Sequence, residues 1–106
     1  MQLIKIYDST CDICSMLAGI DETIAADNGL FFRKIELGEL AAKPSHIKDY
    51  ILPMYVVPND GMVDLPIYLI ETPNKEIQAS GIIRSAEELN NLIDAFRTWE
   101  SSRVKS

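Results

Sequence analysis

Reactive residues are scarce in this chain. Of its 106 residues two are cysteine and one is histidine, and ten lysines and arginines face sixteen aspartates and glutamates, a net charge of −6. Two cysteines are too few for a disulfide framework. An excess of acid has the wrong sign for a protein that gains affinity by neutralising phosphates, so no nucleic-acid partner is expected. Long apolar runs are missing as well: Leu52 to Val57 is interrupted by Pro53 and falls far short of the roughly 18 residues of a membrane span. No membrane partner is expected. Met1 to Asp8 shows neither the apolar stretch nor the small-residue cleavage site of a secretory leader, which makes a cytoplasmic location the default. There is no internal repeat, low-complexity tract or linker. What remains is ordinary globular composition, 47% apolar and 25% charged, and this length fits a single domain over 1–106 with a frayed tail from Ser101 to Ser106.

The order of elements follows from hydrophobic spacing. Leu3, Ile4, Ile6 and Tyr7 form a short apolar run that stops at Asp8-Ser9-Thr10, a buried strand followed by residues suited to a helix N-cap. Ile13, Met16, Leu17, Ile20 and Ile24 then recur at three- and four-residue steps until Asn28-Gly29, which predicts one helix over about 11–28. Leu30 to Leu37 reads as a second strand, parallel to the first because a helix connects them. Pro44 to Leu52 supplies a candidate helix in the stretch Gly38 to Pro66, where pattern is weakest. Pro66 opens the run Ile67 to Ile70, and Thr72-Pro73-Asn74-Lys75 turns it into Glu76 to Ala79, an antiparallel hairpin. Ser85, with Glu87 and Glu88 behind it, caps a last helix whose stripe is Leu89, Leu92, Ile93, Phe96 and Trp99. The fold class is α/β, in the order β-α-β-(α)-β-β-α, with a four-stranded mixed sheet and flanking helices.

Cys11-Asp12-Ile13-Cys14 stands where the first strand gives way to the first helix. Unpaired amides and the positive end of the helix dipole favour a thiolate at Cys11, the attacking sulfur. Cys14, one turn on, faces the same side and is the more buried, so it can resolve a mixed disulfide. No cation lies in the loop, while Asp8 and Asp12 oppose the thiolate as like charges. Asp8 has two readings, proton acceptor for Cys14 or partner of the free amides at the helix start.

On these features the chain resembles the thioredoxin-like superfamily of thioredoxins and glutaredoxins. Leu65-Pro66 stands at that family's cis-proline position, and Ser80-Gly81 where glutaredoxins carry a glycine pair. The run Asp8 to Cys14 is similar to the D-x-x-C-x-x-C signature of the DCC family of thiol-disulfide oxidoreductases. The Trp-Cys-Gly-Pro-Cys surround of thioredoxins and the glutathione-holding charges of glutaredoxins are missing. The resemblance implies a thiol-disulfide oxidoreductase with Cys11 and Cys14 as catalytic pair and Ile13, Leu65 and Pro66 as substrate contacts. Its substrate would be a disulfide-containing protein or a small-molecule disulfide. It would carry no bound cofactor and draw on an external electron donor, glutathione or a reductase. With the helix end and two carboxylates opposed, a reductant of roughly −200 to −270 mV is expected.

Other readings compete. The cysteines could be inert core residues, or the domain a binding module around Cys11, Leu65 and Pro66 with little turnover. A structural zinc needs four protein ligands, and Cys11, Cys14 and His46 are three, so no metal is expected. His46 reads as a solvated residue early in a helix. Met16, Tyr68, Met54 and Tyr55 read as core packing.

Overall fold

The protein is described by a computed structural model covering residues 1–105, with side chains as far as residue 101. Its four strands are β1 (Gln2–Tyr7), β2 (Phe31–Glu36), β3 (Ile67–Glu71) and β4 (Ile77–Ile82). They form one sheet in the order β2-β1-β3-β4. β1 and β2 run parallel, β3 lies antiparallel to β1, and β4 antiparallel to β3. Strand composition explains this order. Leu3 to Ile6 and Ile67 to Glu71 are buried without interruption, as strands covered on both faces must be. β2 leaves all but Phe32 and Ile35 exposed, Phe31 at 78%, and β4 is half-buried throughout; these two take the edges.

Five helices flank the sheet. Leu3, Tyr68 and Ile70 point to one face and pack with Leu17, Ala25, Leu89, Ile93 and Phe96 from α1 (Asp12–Leu17), α2 (Ile20–Asp27) and α5 (Ala86–Lys105). Ile4, Ile6, Ile67 and Leu69 point to the other and meet Leu40 of α3 (Leu37–Ala42) with Ile47 and Ile51 of α4 (His46–Ile51). A wide π-helical turn over Leu52–Val56 and a 3₁₀ turn over Val57–Asn59 continue from α4. The hydroxyls of Tyr50 and Tyr55 both hydrogen-bond Ser80 Oγ, at 2.8 and 2.6 Å, and tie this segment to β4.

The hairpin and last helix stand where hydrophobic spacing puts them, and Ser85 Oγ accepts from the Glu88 N–H at 3.2 Å as a cap. The first helix does not run unbroken over 11–28. Ala18 leaves the helical region (ψ 133°) and Gly19 adopts φ 84°, a left-handed conformation open to glycine, so the segment splits into α1 and α2. The stretch from 38 holds two short helices where one is predicted, since Leu37 to Ala42 coils directly off β2. Met16 and Met54 do not pack in the core; they are 57% and 52% exposed, because α1 buries only Cys14 and Leu17 and the π-helical turn holding Met54 buries no residue. Backbone helix persists to Lys105 through the tail expected to fray, whose last residue lies outside the described residues.

Candidate functional site

Cys11 caps α1. Its backbone is extended (φ −85°, ψ 110°), and its sulfur accepts a hydrogen bond from the Cys14 N–H at 3.1 Å. Helix N-caps do this with an oxygen; here a sulfur takes the place of that oxygen, and a thiolate would gain more from the same amide because it carries full charge. The two cysteines are joined as a disulfide with Cα atoms 5.2 Å apart. Cys11 is partly exposed, whereas Cys14 is 3% exposed.

The carboxylates near the pair are placed differently from one another. Asp8 Oδ1 accepts from the Thr10 N–H at 3.0 Å and the Thr10 hydroxyl at 3.1 Å, and these bonds hold its carboxyl below the usual range. Its own carbonyl accepts from the Cys11 N–H at 3.0 Å. Asp8 thus closes the loop that presents Cys11. Asp12 is the exposed first residue of α1. Ile13 is half-buried against the core beneath α1 and α2.

Leu65 and Pro66 come to the same end of the sheet. Ile67 pairs with Ile6 one residue before β1 ends, so the Leu65–Pro66 bond, which is cis, adjoins the end of β1 from which the cysteine loop departs. Pro66 is buried and its carbonyl accepts from the Ile83 N–H at 3.1 Å; Leu65 is half-buried. His46 is not here. It pairs through Nε2 with Glu71 Oε2, and Glu71 is the register partner of Gln2 at the start of β1. His46 is exposed at the start of α4, as its spacing predicts, and the Glu71 pairing places it the length of the sheet away from the cysteines. Among the described residues no three His, Cys, Asp or Glu side chains are grouped to hold a metal.

A cluster of three side chains beside Cys14 escapes sequence reasoning. Lys5 Nζ, 4% exposed, donates to the Cys14 carbonyl at 2.8 Å and pairs with Asp21 Oδ2 at 2.6 Å. The Tyr68 hydroxyl donates to the same oxygen at 2.8 Å, and burial, with Asp21 adding to it, pushes the Tyr68 phenol well above its usual range. A fully buried charged cluster therefore lies beside Cys14. The available signal was Lys5 itself, a cation inside an unbroken apolar strand.

No protein-family model matches the chain, and no curated protein matches it in sequence. Solved structures do match in shape. The reduced thioredoxin pre-protein of Schistosoma mansoni superposes with a TM-score of 0.62 at 13% identity, over 89% of this chain and 76% of that one. Thioredoxin 1 of Thermosipho africanus gives 0.60 at 17% identity, over 97% and 99%. The protein has a thioredoxin-like fold.

Proposed function

We propose that this thioredoxin-like domain is a thiol-disulfide oxidoreductase that works as a reductant. The observation that carries this reading is the sulfur of Cys11 standing as the cap of α1, bonded both to Cys14 Sγ and to the Cys14 amide. In the reduced protein the Cys11 thiolate attacks one sulfur of a substrate disulfide, forming a mixed disulfide and releasing the other substrate sulfur as thiolate, which takes a proton from solvent. Cys14, deprotonated, then attacks Cys11 Sγ. The Cys11–substrate bond breaks as the Cys11–Cys14 bond forms, and the second substrate sulfur leaves as a thiolate that takes up the proton Cys14 released. The substrate has gained two electrons as a dithiol, the Cys11/Cys14 pair has lost two as a disulfide, and an external thiol donor reduces it again. Ile13 lies within the cysteine loop and the Leu65–Pro66 bond adjoins the same end of the sheet, and on that placement we assign the three to the substrate chain, a protein or small-molecule disulfide. The cytoplasm, where dithiols stay reduced, suits such a cycle.

Insulin reduction with dithiothreitol as donor tests this. Turnover should vanish in Cys11→Ser, and Cys14→Ser should accumulate a mixed disulfide. Iodoacetamide at neutral pH should label Cys11 of the reduced protein much faster than Cys14. Equal insulin turnover in wild type and Cys11→Ser would overturn the reading.

A further inference from the structure

A cavity lies away from the cysteines. It measures about 670 Å³ and opens between edge strand β2, the connection from α3 to α4, and the turn joining β3 to β4. Its floor carries the His46–Glu71 pair, with Gln2 Nε2 donating to Glu71 at 2.6 Å. Cysteine chemistry sits beyond the other end of β1.

The charge around this cavity runs against the charge of the protein. Arg33, Lys34, Lys43 and Lys75 line it, four of the ten lysines and arginines, against the two carboxylates of Glu39 and Glu71. Glu71 is 3% exposed and already held by His46 and Gln2, so its oxygens are occupied, and the lining still carries two more positive than negative side chains. Lys34 Nζ lies 5.8 Å from the Tyr7 ring centre. The side chains of Arg33, Lys43 and Lys75 make no hydrogen bond or salt bridge among the described residues. Clustered cations repel one another; Arg33 feels the charge of Glu71 at a distance, but a protein of net charge −6 has carboxylates enough to have paired all three directly.

Backbone conformation gives an independent sign. Lys75 sits at φ 64° in the turn after β3, a left-handed position that glycine or asparagine fills with less strain. Lys75 thus accepts backbone strain at a place where its side chain lines the cavity beside Arg33 and Lys43. The volume lies within the range of about 300–1,000 Å³ common for small-molecule sites.

We infer that this cavity binds a small phosphate-bearing anion, held by Arg33, Lys43 and Lys75 with His46 beside them. Arginine and lysine meet phosphate oxygens with charge-assisted bonds that chloride cannot reproduce. Binding here is independent of the cysteine chemistry and would persist in Cys11→Ser.

Titration of the full chain with sodium pyrophosphate, followed by calorimetry and thermal unfolding, tests the inference against sodium chloride at matched ionic strength. Pyrophosphate should bind and raise the unfolding temperature beyond chloride. Arg33→Gln and Lys43→Gln should each weaken binding about fivefold or more, while Arg84→Gln, which removes an exposed cation outside the cavity lining, should leave it unchanged. Lys75→Gly is the sharpest variant: it should unfold at higher denaturant than wild type yet bind pyrophosphate more weakly. Equal effects of pyrophosphate and chloride, or full binding by the Arg33, Lys43 and Lys75 variants, would overturn the site.

Discussion

At the scale of single residues the most consequential side chain is Lys5. An ammonium buried at 4% exposure must be fully bonded, and it has the Cys14 carbonyl and Asp21 for that purpose. Asp21 in turn accepts from Lys5 and Tyr68 through one oxygen and from the Glu22 N–H through the other, at 2.7 Å. Removing one partner strands the other charge in a low-dielectric core, at about 3–5 kcal/mol, whereas removing both charges is far less costly. Lys5→Met should therefore lose about that much in urea unfolding, and Lys5→Met with Asp21→Asn should regain most of it, because the asparagine can still accept from Tyr68. Additive losses in the double variant would mean that the two groups are not coupled. The cluster also bears on the thiol pair: the cation absent from the loop sequence is supplied from β1, with Asp21 offsetting its charge.

At the scale of elements the break between α1 and α2 is the feature most open to test. Gly19 has φ 84° and no atom within 4 Å of where a Cβ would stand, so Gly19→Ala meets strain without a clash. It should cost about 1–2 kcal/mol, measured by chemical denaturation; no loss would show that the segment can run as one helix. This element also shows where reading a sequence stops. Ile13, Leu17 and Ile24 keep helical spacing across the break, and periodicity cannot see a change of axis between them. β1, β2, the hairpin and α5 were legible because their apolar patterns are long or sharply bounded. Leu37 to Ala42 was not, since Leu37 and Leu40 alone give too short a stripe and Gly38 within it is a poor helix former. In the site, the cysteines were legible from their place at a strand end. Lys5, Asp21 and Tyr68 were not, because each comes from a different element and only the packing of α2 onto β1 and β3 joins them.

At the scale of the molecule the acid limb of stability follows from Glu71. Burial raises its carboxyl, but hydrogen bonds from His46 and Gln2 and the charge of Arg33 outweigh burial and leave it below its ordinary 4.5. A depressed native value means that the unfolded chain binds the extra proton first, so this contribution is complete above about pH 4.5 and fades as pH falls through the native value. Glu71→Gln should lower the urea midpoint at pH 7 and narrow its drop between pH 7 and pH 3, compared with wild type; an equal drop in both would place the acid sensitivity elsewhere. The same region of the molecule includes the uncovered edge at β2. Its sequence, Phe31-Phe32-Arg33-Lys34-Ile35, would make an inviting template for another strand, and its two exposed cations break that apolar run as gatekeepers do. Colloidal behaviour is thereby linked to ionic surroundings: whatever neutralises Arg33 and Lys34 also removes the barrier to edge-to-edge stacking, so the concentration at which this acidic protein stays dispersed depends on what its few basic residues are holding.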